Sequence, residues 1–352
     1  MKSGHCLDQN FLPLAVKLDR EDVDARCITV WPGLRGHQSQ SDQIGGTGQR
    51  TGRCHRNRRG CLLPLTHDAP INIAFFDELR RRGFIEGQNL TVEYRAYGLR
   101  VDLVSEYAAE LVKARVDVIV TAGDVTTIRA AQQATKTIPI LAMTDDMVRL
   151  GLVASMARPD GNTTGVSILA LELDGKRQEI LIEAVPGLRR MAFLADANFT
   201  TVATLDALQE AARAHNVELS IHRIAKGEEI TAAIDAAKAS GAEGLNVSAS
   251  PLFFTYRQLI MDRVAALRLP AIYDWPETAE EGGFAAYGPR LSQLFVEVMT
   301  QQLVKLFHGI KVADIPVEQP TKFELVINLK AAKAMGVTVS PALLLRADKL
   351  IE

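Results

Sequence analysis

Apolar residues recur with two periods in this chain, and from residue 60 onward the two alternate. The run 116–120 holds Val116, Val118, Ile119 and Val120, β-branched and short, as a strand buried in a parallel sheet requires. Thr121-Ala122-Gly123-Asp124 breaks it. A helical pattern over 126–134 begins at once, with Asp124 or Thr126 placed to cap its free N–H groups. In an open α/β sheet, ligands bind where strand ends meet helix starts, because backbone donors and the helix dipole converge there. The same alternation predicts a short strand at 61–63, ending in Thr66-His67-Asp68, then a helix over 71–82 closed by Gly83. A strand at 90–94, a helix over 101–115 and a strand at 138–141, ending in Thr144-Asp145-Asp146, follow. These units in series make one doubly wound lobe.

A polar loop at 157–164 leads into a strand at 165–169, and the alternation then restarts. Strands at 191–194, 217–221, 244–247 and 271–273 are separated by helices that begin near residues 174, 202, 229 and 255. Most end in small or polar loops: Asp196-Ala197-Asn198, Ser248-Ala249-Ser250-Pro251, and Asp274. The predicted fold class is therefore α/β, with two doubly wound, Rossmann-like lobes that face each other across their strand ends and are joined by a hinge. A helix over 291–308 and the tail 315–351 complete the lobes. Residues 59–166 with 289–310 form the N-terminal lobe and 167–288 with 311–352 the C-terminal lobe. An irregular extension, residues 1–58, precedes them.

At 352 residues the chain is long enough for two such lobes. A net charge of −2, no basic face after residue 60 and sparse aromatics give no nucleic-acid partner. The extension is different in kind. Gly, Ser, Gln and Arg dominate 33–59, five of the ten residues 50–59 are arginine, and no apolar period persists, as in a disordered segment. Its glycine-rich run at 45–48 has no strand before it and no helix after it, so it is composition and not a dinucleotide loop. All four cysteines, Cys6, Cys27, Cys54 and Cys61, fall in the first 61 residues, and Cys54, His55 and Cys61 stand at a spacing that fits no zinc pattern. The extension also lacks the basic start, apolar core and cleavage site of a secretory signal: its best apolar run, 11–16, contains Pro13. No apolar run reaches the length of a membrane span.

Several pieces of the body carry a family likeness. They are Gly83-Phe84-Ile85-Glu86-Gly87-Gln88-Asn89-Leu90 with Glu93-Tyr94-Arg95, then Thr137-Ile138-Pro139-Ile140, then Gly151-Leu152-Val153-Ala154-Ser155 with Arg158-Pro159. Gly161-Asn162-Thr163-Thr164-Gly165-Val166-Ser167, Tyr287-Gly288-Pro289 and Leu306 with Gly309 come next. The most specific is Pro316-Val317-Glu318-Gln319-Pro320-Thr321-Lys322-Phe323-Glu324-Leu325-Val326-Ile327-Asn328. From about Cys61 to its end the chain resembles the ABC-transporter substrate-binding proteins of the tryptophan/tyrosine-type family. The resemblance implies a type I periplasmic-binding fold and a periplasmic location. It also implies a small organic ligand, amino-acid-like or aromatic, held between the lobes and presented to an ABC permease in the membrane. Closure of the lobes on the ligand would be the shape the permease reads. A monomer without cofactor or metal is expected. Two departures stand out. The family's signal peptide is missing, which a mis-assigned start would explain. After the fourth strand the family's Gly-Asp-Pro-Val is replaced by Thr144-Asp145-Asp146-Met147-Val148, which keeps Asp145, loses the proline and points to a local change in ligand preference.

No catalytic set is legible: there is no phosphate loop, no H-E-x-x-H and no G-x-S-x-G, and His215, His222 and His308 have neither a nucleophile nor a metal partner in sight. The residues expected at the cleft are Thr66, His67, Gly123, Asp124, Thr126, Thr127, Asp145, Ser167, Asp196, Asn198, Ser248, Ser250 and Asp274. Taken singly, each carboxylate reads equally as a cap or turn former. Together they suit a zwitterion, with Asp274 and Asp196 meeting an ammonium group and helix starts with hydroxyls meeting an anion. Tyr273, Trp275, Phe253, Phe254 and Tyr287 lie beside the same loops; Tyr273 or Trp275 could cover an apolar part of the ligand, while Phe253 and Phe254 suit core or hinge packing. Two other classes fit less well. A ligand-sensing regulator with the same two lobes would need a DNA-binding headpiece in 1–58, where no helix-turn-helix pattern occurs. A two-domain Rossmann-type enzyme lacks a cofactor loop after a strand.

Overall fold

The structure, a computed structural model, describes residues 57–98 and 100–352. Strand β1 (Asn57–Leu63) pairs in parallel with β2 (Leu90–Ala96) and β3 (Val118–Ala122), and β4 (Ile140–Thr144) and β5 (Thr163–Ser167) complete the order β2-β1-β3-β4-β5. All residues of β3, β4 and β5 are buried, because helices cover both faces of the sheet. Helix α1 (Pro70–Arg81) lies on one face, α2 (Val104–Lys113) and α3 (Val125–Ala134) on the other. Pro70 opens α1, and Gly83, at φ +88°, turns the chain just past its end.

The boundary expected between extension and body needs correction. β1 takes in Asn57 and Arg58, which composition alone places in the extension: they pair with Leu90 and Thr91, and the Arg58 N–H donates to the Asp117 carboxylate. Arg59 follows them into the core, its guanidinium lying over the rings of Phe75 and Phe76 at 4.3 and 4.7 Å. An arginine-rich run that reads as a solvated tail thus begins a central strand, because its aliphatic and planar parts pack on aromatic rings. The rest of the extension, with the 45–48 run, Cys54 and His55, lies outside the described residues.

The second sheet has seven strands. β6 (Arg190–Asp196), β7 (Glu218–Ile224), β8 (Gly244–Val247), β9 (Ala271–Tyr273), β10 (Ala285–Gly288), β11 (Glu324–Asn328) and β12 (Lys349–Ile351) run in the order β12-β11-β10-β9-β8-β6-β7. Every pair is parallel except β10 with β11. Helices α4 (Asp174–Ala184), α5 (Val202–Ala214), α6 (Ile230–Ala239), α7 (Pro251–Thr255) and α8 (Arg257–Ala266) connect the first strands. The chain passes between the sheets three times, after β5, after β10 and before β11. After β10 it returns to the first sheet through a wide helical stretch, Ser292–Val298, and helix Met299–Phe307, packed against α1 with Phe75 and Phe295 4.9 Å apart. It is then held on β5: the Glu318 N–H donates to Gly165 O at 2.9 Å, and Ser167 N–H donates back to Glu318 O at 2.8 Å. The carboxyl ends of both sets of parallel strands open onto one cleft. No helix among the described residues is long and apolar enough to cross a membrane.

Candidate functional site

The deepest part of the cleft is a cavity of about 120 Å³ that both lobes build. The chain after β1, β3 and β4 supplies Leu65, Gly123 and Asp145 from one side; the chain after β8 and β9 supplies Ser250, Asp274 and Trp275 from the other. Ile168, Ala170, Leu291 and Phe295, from the crossings, close its back. The walls are mostly apolar and include four aromatic rings, Phe199, Phe254, Trp275 and Phe295.

Two carboxylates line this chamber, Asp145 and Asp274. Burial pushes the Asp274 carboxyl up to about 7, against the pull of Arg177 in the other direction. Arg177 itself is fully buried and paired with Asp174 one helical turn away. Its guanidinium also donates to Ala170 O at 2.9 Å and to Tyr287 O at 3.2 Å, so one side chain ties the start of α4 to the crossing after β5 and to β10. Asp174 is raised as well, by burial, although Arg177 lies beside it. Asp145, on the opposite lobe, pairs with Arg149 at 2.9 Å.

A wider groove of about 860 Å³ continues outward and shares Phe199 and Pro251 with the inner cavity. Its walls carry Tyr97, Asp124 and Thr126 from the first lobe and Asp196, Asn198, Lys226 and Tyr256 from the second. Asp124 caps α3, accepting from Thr126 N–H at 2.6 Å. Asp196 accepts from Asn198 N–H at 2.9 Å, and burial raises its carboxyl despite that bond.

The residues expected at the cleft therefore divide three ways. Gly123, Asp145, Ser250 and Asp274 line the inner cavity; Asp124, Thr126, Asp196 and Asn198 line the outer groove. Thr66, His67, Thr127, Ser167 and Ser248 line neither. His67 turns away to stack on Phe76 at 4.4 Å and to meet Glu86 at 3.5 Å, and Thr66 bonds Asp68. Ser167 clamps the loop after β4, donating to Asp145 O at 2.9 Å and accepting from Met147 N–H at 3.0 Å. Ser248 accepts from Asp196 N–H at 3.4 Å, inside the second lobe, and Thr127 is fully buried in α3. Of the aromatic candidates, Trp275 and Phe254 reach the cavity, while Tyr273 and Phe253 pack in the second lobe's core. Sequence reasoning missed the Asp174–Arg177 pair, which at i,i+3 on a helix looks like a surface ion pair. It also missed Asn72, which donates to Thr66 O and Tyr94 Oη at 2.7 and 2.8 Å and shapes the loop after β1.

Two doubly wound lobes around a partly open, mostly apolar chamber define a small-molecule binding protein of the type I periplasmic-binding fold. The family described as ABC transporter substrate binding protein matches residues 61–351, and the chain belongs to it, as the motifs at 83–95, 161–167 and 316–328 suggest. Its role is that of the substrate-binding component of an ABC transporter, which binds a small molecule and interacts with an ABC permease. The chain is similar to the "Tyrosine-binding protein" of Clostridioides difficile, 25% identical over 266 residues that cover 75% of each chain. It also shares its fold with a conserved domain protein from Vibrio cholerae (TM-score 0.73, 23% identity, 84% of this chain and 99% of that one). An ABC domain in complex with L-Trp from Streptococcus pneumonia has a TM-score of 0.72 at 19% identity, covering 84% of this chain and 100% of that one.

Proposed function

We propose that the inner cavity binds an amino-acid-like ligand with an apolar or aromatic side chain, its ammonium group on Asp274. The single observation that carries this reading is Asp274 itself, a carboxylate whose neighbouring cation is already engaged by Asp174, at the wall of a chamber lined by aromatic rings. A ligand ammonium would restore the charge balance that burial upsets. The curated relative, named for tyrosine binding, supports the same class. Asp145, Gly123 and Ser250 complete the inner contacts, and Asp124, Thr126, Asp196 and Asn198 guard the mouth. In this reading the two sheets with their helices are the lobes and the three crossings the hinge. The protein works outside the cytoplasmic membrane as a monomer, carries out no chemistry and has no nucleic-acid partner.

A thermal-shift screen over amino acids, aromatic acids and amines tests it, because a ligand bound only by the folded state raises the melting temperature. Aromatic primary amines are expected to stabilise the protein and their N-acetyl forms to do nothing. Equal shifts with amines and N-acetyl forms would overturn the reading.

A further inference from the structure

If Asp274 holds an ammonium group, as proposed for the function, the donors and charges of the inner cavity narrow the ligand beyond its class. No arginine, lysine or histidine is among the described residues that line the cavity. Of its two carboxylates, Asp145 has Arg149 at 2.9 Å, and the Arg177 near Asp274 is held by Asp174. The side-chain donors are occupied too. Thr144 Oγ1 donates to Gly123 O at 2.8 Å, and Asn72 Nδ2 donates to Thr66 O and Tyr94 Oη. Ser250 bonds the Asp196 carboxylate and caps Phe253 N–H at 3.1 Å. The side-chain donor that remains on the wall, the Trp275 indole N–H, is neutral.

A free amino acid would bring its own carboxylate into this chamber beside Asp274 with no cation to meet it, and burying an unpaired charge is costly. A neutral amide in the same place is not penalised in this way, and its carbonyl suits the indole N–H. The outer groove, joined to the cavity at Phe199 and Pro251, has the volume for further residues, and Lys226 is the one basic side chain among the described residues lining either space. We propose that the site takes the amino end of a short peptide with an apolar or aromatic first residue. The first side chain and ammonium occupy the inner cavity, and the peptide chain runs past Pro251 toward Lys226, where its terminal carboxylate ends.

Calorimetric titration of the full chain at pH 7.5 tests this with L-tryptophan, L-tryptophanamide, the tripeptide Trp-Gly-Gly and its N-acetyl form, and with the matching leucine series. The tripeptide is expected to bind tenfold or more tighter than the free amino acid, the amide to exceed the free amino acid, and the acetylated tripeptide not to bind. Lys226→Ala should weaken the tripeptide by about two- to fivefold, as for an exposed ion pair, and leave the amide unchanged. A tripeptide that binds no tighter than the free amino acid overturns the peptide inference and leaves the amino-acid reading standing. Failure of every free amine to bind, or equal binding of the acetylated form, brings down both. An equal loss for amide and tripeptide in Lys226→Ala overturns the outward course of the chain.

Discussion

Gly123 and Pro251 meet across the cleft: a methyl group on Gly123 would lie 3.4 Å from Pro251 Cγ and 2.8 Å from the Tyr97 hydroxyl oxygen. Gly123 follows β3 in the first lobe and Pro251 opens α7 in the second, so a methyl group would just touch the second lobe and crowd Tyr97 of its own, while a larger side chain would press on both. At φ +104° the backbone there also favours glycine.

Gly123→Val is therefore expected to cost about 1–3 kcal/mol of stability through backbone strain. It should also hold the lobes apart. Small-angle scattering is the check: the wild-type radius should shrink on ligand addition and that of Gly123→Val should not. An equal contraction in both would show that closure does not pass through this contact.

The Asp174–Arg177 pair is buried, and Arg177 also reaches Ala170 O and Tyr287 O. Removing one partner leaves the other charged in the core, so Asp174→Asn and Arg177→Met are each expected to lose about 3–5 kcal/mol by denaturant unfolding. The double substitution should lose less than the two added together. Additive losses would mean that the two side chains act separately.

Arg59 is a different case. Both terminal nitrogens of its guanidinium are buried without an acceptor among the described residues, although Nε donates to Cys61 Sγ at 3.1 Å. Its stacking on Phe75 and Phe76 offsets part of that cost. Arg59→Met fills the same space without the unmet donors and is expected to be neutral or to raise stability by about 1–2 kcal/mol. A loss of more than that would show that the stacking outweighs desolvation.

The Asp274 carboxyl, raised to about 7 by burial, makes both stability and binding depend on pH. A carboxyl raised above its unfolded value binds more protons when folded, so the ligand-free protein should lose stability as pH rises from about 4 to about 7. The loss is roughly 1–3 kcal/mol, discounted for partial solvent contact, and is complete above pH 7. Asp274→Asn should remove this component and be the more stable protein at pH 8. Affinity for an amine runs the other way: it needs the ionised carboxylate and should fall as pH drops below about 7. Parallel pH profiles for wild type and Asp274→Asn would contradict both statements.

The sequence allows some of this to be read and hides the rest, for identifiable reasons. The β-branched run through Val118, Ile119 and Val120 forms a buried strand, and Asp124 caps the helix after it, because both signals are local. The strands β6 to β9 are equally visible. β11 is not, since Glu324–Asn328 runs antiparallel to β10 and that pairing depends on a segment some 40 residues away in the chain. Periodicity tracks apolar burial only, so it passes over Arg59 and Arg177, two of the largest fully buried side chains. Position after a strand finds Asp145, Asp196 and Asp274 but cannot say which of two spaces each faces. It also cannot tell Ser250, on the cavity wall, from Ser248 two residues earlier, which is turned inward.

Whether Asp274 holds a ligand ammonium in the inner cavity is decided by titrating the tightest-binding primary amine from the thermal screen into wild type, Asp274→Asn and Asp196→Asn at pH 7.5. Asparagine keeps the shape and removes the charge. The expected loss in Asp274→Asn is about 2–5 kcal/mol of binding free energy, the range for one side of a buried charge pair, with a much smaller loss in Asp196→Asn at the mouth. Unchanged affinity in Asp274→Asn would contradict the account, and unchanged affinity in both variants would leave a neutral or anionic ligand as the better reading.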